Sequence, residues 1–281
     1  MKLTSNIIKF HDELGLKETI DVFSDAGFDG IDFNADLPEY RDDTHNEEFY
    51  KNMKAYANGK GIDFPQAHAP FGSSFEDEEQ TKQRKIEIIK GMKHSAWLGA
   101  EMIVIHPCRH LDYKDNKYDV MMEYNLNFYK SLIPYAEDFG IKIAVENIGK
   151  SITETPEGLL ELVNLLDNDV FTICYDVGHA NICEQDPVEM LKKLGNRIGC
   201  THIHDNNGIA DSHTLPYYGN IDWENVMKAL AEVGYNGNLN YEAGLFVRRT
   251  PVILRRESAK YMVDIGRQLI DRYWHYKNQL K

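Results

Sequence analysis

Eight short apolar runs alternate with eight longer stretches of helical period over 281 residues, which predicts an α/β fold, a (β/α)₈ TIM barrel in a single domain spanning 1–281. Several of the runs are apolar on both faces, as in Met102-Ile103-Val104-Ile105, and strands of a buried parallel sheet read that way. A doubly wound open sheet is the competing architecture. It usually carries a glycine-rich phosphate turn after its first strand, and Lys9-Phe10-His11-Asp12-Glu13 is not one.

The predicted strands are, in order, 3–7, 30–34, 62–68, 102–106, 141–147, 170–176, 198–204 and 238–242. Each has four to eight residues, rich in Ile, Val and Phe. The predicted helices are 16–26, 45–60, 78–98, 118–139, 156–166, 187–194, 223–233 and 251–274. Pro156, Pro187 and Pro251 stand where a first helical turn is expected. Gly27, Gly99, Gly140, Gly195 and Gly234 stand just past helix ends, where a left-handed cap is common, and each leads into the next strand. There is no low-complexity segment, linker or repeat beyond the strand–helix period.

Composition removes several classes of function. No apolar run approaches the roughly 18–20 residues of a membrane span. The start, Met1-Lys2-Leu3-Thr4-Ser5-Asn6, lacks the apolar core of a secretory signal, so the expectation is a cytoplasmic protein without membrane attachment. A net charge of −14 argues against generic nucleic-acid binding, although bound cations would reverse the field locally. Cys108, Cys174, Cys183 and Cys200 form no Cys-x-x-Cys pair and read as reduced, buried thiols. Trp97, Trp223 and Trp274 fall in predicted helices and read as packing residues.

The chemistry gathers at strand ends. The third run closes on Gln66-Ala67-His68, the fourth on Ile105-His106, the fifth on Val145-Glu146-Asn147 and the sixth on Tyr175-Asp176. The seventh closes on Thr201-His202-Ile203-His204-Asp205 and the eighth on Tyr241-Glu242. In a parallel barrel these ends converge on one mouth, where active sites lie. A carboxylate closing an apolar strand is costly unless it is paired or holds a metal. Asp176 alone also reads as a helix N-cap and His106 alone as a satisfied core group, but six strands ending alike exceed what capping explains. His11, His45, His94, His110 and His275 read as surface or helix positions without partners. Neutral imidazoles mixed with carboxylates suit Zn²⁺, Mn²⁺, Co²⁺ or Mg²⁺. Glu146, Asp176, His202 and Glu242 come from four successive strands and would leave a six-coordinate ion room for substrate oxygens. Cys200, His202 and His204 alternate onto one face, and this pattern alone leaves His202 and His204 equal as ligands.

These motifs resemble the xylose-isomerase-like TIM-barrel superfamily, which joins sugar and sugar-phosphate isomerases and epimerases to metal-dependent apurinic-site endonucleases. The carriers are His106-Pro107, Val145-Glu146-Asn147, Asp176-Val177-Gly178-His179, His202-Ile203-His204-Asp205-Asn206, Asp211-Ser212-His213, Gly219-Asn220-Ile221-Asp222-Trp223 and Tyr241-Glu242. The resemblance implies that Glu146, Asp176, His202 and Glu242 hold one divalent metal. Their separations of 30, 26 and 40 residues match the epimerase branch and favour His202 over His204. It also implies that Glu146 and Glu242 act as base and acid through an enediolate of a ketose or ketose phosphate, while His179 hydrogen-bonds the substrate. His68, His106, His179, Asp211 and His213 correspond to further ligands of the endonuclease branch, which leaves a second or third metal open.

The expected partner is a small sugar or sugar phosphate. The endonuclease and a catalytically silent sugar- or metal-binding barrel are the alternatives. The loop after the second strand carries Asp36, Glu39, Asp42 and Asp43 against Arg41, and Glu76, Asp77, Glu78 and Glu79 follow the third. An acidic mouth would repel a DNA backbone. Four acids in a row also suit a helix N-terminus. Arg248, and with it Arg249 and Arg109, could grip a phosphate or carboxylate on the substrate, against a plain reading as solvated arginines. Barrels of this kind often form homo-oligomers, and no surface stripe names an interface.

Overall fold

The computed structural model describes residues 1–72, 78–109 and 117–280. Eight parallel strands lie in the order β7-β6-β5-β4-β3-β2-β1-β8. They are β1 (Leu3–Asn6), β2 (Gly30–Asn34), β3 (Asp63–His68), β4 (Met102–Ile105), β5 (Lys142–Glu146), β6 (Phe171–Asp176), β7 (Ile198–His202) and β8 (Leu239–Tyr241). The ring is closed by a parallel bridge from Ile203 to Tyr241, with Ile203 N–H donating to Asn240 at 2.7 Å and Glu242 N–H to Ile203 at 3.1 Å. The chain is therefore the predicted TIM barrel rather than an open sheet.

The α-helices are α1 (Ile8–Ala26), α2 (Glu47–Gly59), α3 (Glu78–Leu98), α4 (Tyr118–Lys130), α5 (Ile133–Phe139), α6 (Pro156–Leu166), α7 (Val177–Ile182), α8 (Pro187–Leu194), α9 (Trp223–Glu232), α10 (Gly244–Arg249) and α11 (Arg255–Gln279). The predicted helix 118–139 is two helices. Pro134 has no N–H for the carbonyl of Lys130, and its ring would collide with it, so the chain turns at Ser131 and Leu132. Pro156 and Pro187 do open helices, behind Thr155 and Asp186 caps. Pro251 does not, because α11 begins only at Arg255 after a 3₁₀ turn. All five glycines named above have positive φ, although Gly195 enters a further 3₁₀ turn before β7. The short α7 and α10, and the first turns of α1 before its Gly15 kink, carry too little periodicity to be read from sequence.

Strand alternation sorts the core. Ile103, Ile105, Ile143, Val145, Ile173 and Tyr175 face the helices inside one large apolar cluster. Their alternates Val104, Ala144, Cys174 and Cys200 form a small separate cluster within the barrel. Each fully buried aliphatic side chain contributes about 1.5–3 kcal/mol, so this outer layer is what holds the strand ends in place. Three of the four thiols are buried and all are free. Trp223 is buried, while Trp274 stays partly exposed on α11. Among the described residues no helix is long and apolar enough to cross a membrane.

Candidate metal centre and active site

The strand ends deliver their side chains to one point. Glu146 at the end of β5 places Oε1 2.9 Å from Nδ1 of His202 at the end of β7, and Oε2 2.8 Å from Nε2 of His106. His202 Nδ1 also lies 3.6 Å from Glu242 Oε1 and 3.9 Å from Asp176 Oδ2. Glu146, Asp176, His202 and Glu242 thus offer four ligand atoms within 4.8 Å of one another. Parallel register makes this so: Asp176 pairs with His202, and Glu146 lies level with Cys174.

Asp176 satisfies both of its sequence readings at once. Oδ1 caps α7 by accepting the His179 N–H at 2.6 Å, while Oδ2 is buried without a hydrogen-bond partner. Such an orphaned oxygen is expensive in a protein interior and fits a cation. The donor set of three carboxylates and one imidazole fits a divalent metal of the Mn²⁺, Co²⁺, Zn²⁺ or Mg²⁺ type.

Two further groups flank the first. His68 Nε2 lies 3.1 Å from His106 Nε2, and both approach Glu146. On the other side His179, His204, Asp211 and His213 also bring ligand atoms within 4.8 Å of one another. His204, left aside by the spacing argument, is fully buried and stacks on His213 with ring centroids 3.9 Å apart. Its closest acid is Asp176, at 3.2 Å from Nε2. The second position after Asp176 must be glycine: a Cβ on Gly178 would overlap the His204 ring.

The loop 205–222 carries Asp211 and His213. Asp205, buried at its root, gathers it by accepting N–H groups from Asn206, Tyr217, Ile221 and the Trp223 indole. This holds His213 at φ 43, where non-glycine residues are uncommon. His213 Nδ1 meets the Glu242 carbonyl oxygen at 2.8 Å and Nε2 meets Asp211 at 3.1 Å.

The electrostatics follow from mutual burial. Burial alone would raise the Glu146 carboxyl, but His202 and His106 draw it well below its ordinary range. Burial would lower His202, and Glu242 and Glu146 more than reverse this, raising it well above the usual imidazole value. His179 is raised in the same way, mainly by Asp176 and Asp211. His213, against Asp211 and Glu242, is raised to about 9. In His106 burial prevails and the value is lowered. Acids and imidazoles thus shift one another in opposite senses, and a bound cation would compete with protons for the same ligand atoms.

A cavity of about 600 Å³ opens above the centre, and His106, His179, Asp211, His213 and Glu242 line it together with Asn6, Lys9, Phe71, Arg84 and Arg109. His68 lies outside its wall, closed off near Phe71 and His106. Arg248 is exposed on α10 and lines a smaller neighbouring recess of about 280 Å³ with Lys9 and His213. Arg109 donates through Nε to the Gly149 carbonyl.

Two expectations are corrected here. The excess of acid read in the loops after the second and third strands does not dominate the mouth: Lys9, Arg84 and Arg109 border the cavity, while Asp36 pairs with Arg41 at 2.9 Å and Asp43 with Lys90 at 2.7 Å. Glu78 and Glu79 do open a helix, and Glu76 and Asp77 lie outside the described residues. The background histidines also have partners. His11 meets Tyr40 at 2.8 Å, His94 is buried in a stack with Tyr50, His45 stacks on Phe49 and His275 reaches Gln279; His110 lies outside the described residues.

The sequence reading missed Asp32. It is buried in the middle of β2 with Oδ2 3.5 Å from His202 Nε2. The signal was present, since an aspartate inside Gly30-Ile31-Asp32-Phe33-Asn34 sits at an inward position of an apolar strand.

Comparison with known proteins places the chain among relatives of the same fold. An uncharacterized protein of Methanocaldococcus jannaschii is 34% identical over 184 residues, 62% of each chain. The chain thus spans less than two thirds of that relative's length. An inosose dehydratase of Clostridium botulinum is 31% identical over 140 residues, 43% of this chain and 47% of the relative. A D-psicose 3-epimerase of Ruminiclostridium cellulolyticum is 26% identical over 248 residues, 84% of this chain and 80% of the relative. Among solved structures, a D-tagatose 3-epimerase-like protein superposes with a TM-score of 0.75 at 25% identity, over 96% of this chain and all of that one. The family profile described as xylose isomerase-like TIM barrel matches residues 20–257, and the chain belongs to that family.

Proposed function

We propose that the chain is a divalent-metal-dependent isomerase or epimerase of a ketose or ketose phosphate, working by proton transfer at the carbon beside the carbonyl. The observation that carries the reading is the meeting of Glu146, Asp176, His202 and Glu242 within 4.8 Å, with Glu242 lining a cavity of about 600 Å³, large enough for a monosaccharide. These four would hold the metal, which supplies Lewis-acid polarisation of the substrate carbonyl and so acidifies the neighbouring C–H. Glu242 lines the cavity, and its Oε1 and the Glu146 Oε1 lie 3.6 and 2.9 Å from His202 Nδ1; in this reading one carboxylate removes the proton and the other returns it through an enediolate. His179 lines the wall and hydrogen-bonds a substrate oxygen. Arg248 and Lys9 stand beside the recess where a charged substituent would extend.

The relatives include an epimerase and a dehydratase, and proton abstraction beside a ketone can open either reaction type. The test is metal analysis combined with a panel of ketoses and ketose phosphates in deuterated water. Deuterium entering beside the carbonyl, with every oxygen retained and activity lost on chelation, is the expected result. Loss of water from the product would assign dehydration instead. Turnover that survives exhaustive chelation would refute the metal mechanism.

A second reading is favoured by the flanking groups His68–His106–Glu146 and His179–His204–Asp211–His213, each of which brings enough ligand atoms together to hold a further cation. Three bound metals with nicking of abasic DNA, and no deuterium exchange, would select a phosphodiesterase. Metal binding without either activity would select the catalytically silent barrel.

A further inference from the structure

The interior layer beneath the site is divided. On β4 to β7 it is Val104, Ala144, Cys174 and Cys200, an apolar set. On β8, β1, β2 and β3 it is Asn240, Thr4, Asp32 and Gln66, all fully buried. Barrel interiors are ordinarily filled by branched aliphatic side chains, so the polar half needs a cause. Asp32 Oδ2 accepts the Asn240 Nδ2–H at 2.8 Å and the Gln66 Nε2–H at 3.3 Å. Asn240 in turn accepts the Thr4 hydroxyl at 2.7 Å. A neutral amide oxygen could accept both of those bonds, and the carboxylate costs more to bury. What a neutral acceptor would serve less well is His202, whose Nε2 faces Asp32 Oδ2 at 3.5 Å while Nδ1 faces Glu146, Asp176 and Glu242.

We propose that Asp32 is a positioning residue for the cation site: braced by Asn240 and Gln66, it keeps the proton of His202 on Nε2, so that the Nδ1 lone pair points at the place where the three carboxylates meet. The role rests on the metal reading above. It takes effect through His202, the ligand that Asp32 faces at 3.5 Å, and Asp32 is not among the residues that line the cavity. Carboxylates that orient a ligating imidazole commonly change metal affinity by about 10–100-fold when neutralised. In Asp32→Asn the two amide donors keep an oxygen at the Oδ2 place, but that oxygen is neutral, so it holds the proton on His202 Nε2 less strongly and the proton is freer to move to Nδ1 and block it.

The test uses zinc as the probe on the full chain. Chelator competition should show Asp32→Asn binding zinc about 10–100-fold more weakly than the native chain. The metal-free variant should melt no lower than the native protein, because a buried charge has been removed. An intact variant that binds zinc within about twofold of native overturns the role. Should the variant not fold, ¹⁵N-histidine spectra of the zinc-loaded native chain decide, with the His202 signals assigned by their loss in His202→Gln. Zinc on Nδ1 with a retained Nε2–H supports the proposal, and zinc on Nε2 overturns it. A native chain that binds no zinc, manganese or cobalt refutes the metal reading itself, a result distinguishable from failure of the Asp32 role alone.

Discussion

Asp205→Asn is the most informative perturbation of the loop that carries Asp211 and His213. The native carboxylate accepts four N–H groups, two on each oxygen: Asn206 and Ile221 on Oδ1 at 2.9 and 3.3 Å, and Tyr217 and Trp223 Nε1 on Oδ2 at 2.9 and 2.8 Å. An amide keeps one oxygen, so two N–H donors then face an NH₂ group. At roughly 1.5–3 kcal/mol for each bond to a charged acceptor, the gross loss is about 3–6 kcal/mol. The neutral side chain recovers part of the desolvation penalty, leaving a net loss of about 2–4 kcal/mol. At about 2 °C per kcal/mol for a chain of this size, the melting temperature should fall by about 4–8 °C. Calorimetry measures it directly. The same variant should lose turnover below its melting point, because Asp211 and His213 are no longer held against His179 and Glu242. A melting temperature within about 1 °C of native would refute the claim that Asp205 organises the loop.

Other outcomes follow from the same geometry. Glu146→Gln should leave the far-ultraviolet spectrum unchanged while lowering turnover by about 10²–10⁴-fold, and full activity would remove Glu146 from the proton path. Gly178→Ala should cost about 1–3 kcal/mol in urea unfolding, since its Cβ overlaps the His204 ring, whereas Gly59→Ala, with open space at that position, should be neutral or stabilising. In Asp29, burial raises the carboxyl, but Arg267 and the Leu3 N–H outweigh it and hold the pKa below its usual range. Its contribution is therefore complete above the unfolded value of about 3.9 and is lost as pH falls through the lower folded value. The stability difference between native and Asp29→Asn should stay constant near neutral pH and shrink as pH falls below about 3.9 toward the lower folded value, and a difference that grew with acid would contradict the sign.

Much of the fold was legible because it is written in short-range pattern. Runs such as Met102-Ile103-Val104-Ile105 must be buried on both faces, and Pro156 and Pro187 mark helix starts through backbone constraints that need no tertiary context. The strand ends at Glu146, Asp176 and Glu242, and the pair His202 and His204, could be named for the same reason, since parallel strands of a barrel deliver their ends to one mouth; the choice of His202 came from the family resemblance. What the chain alone left open depended on contacts between distant elements. His202 and His204 share a strand face, and only packing against Glu146 on one side and Gly178 on the other separates their surroundings. The acids near Arg41 looked like a negative field until Lys90 of α3 was found beside Asp43. Asp32 passed unnoticed because an inward aspartate has no local signature of its partner, which lies 170 residues away on β7. Periodicity is a property of neighbours along the chain, whereas charge pairing and imidazole orientation are properties of neighbours in space, and closing the barrel is what turns the one into the other.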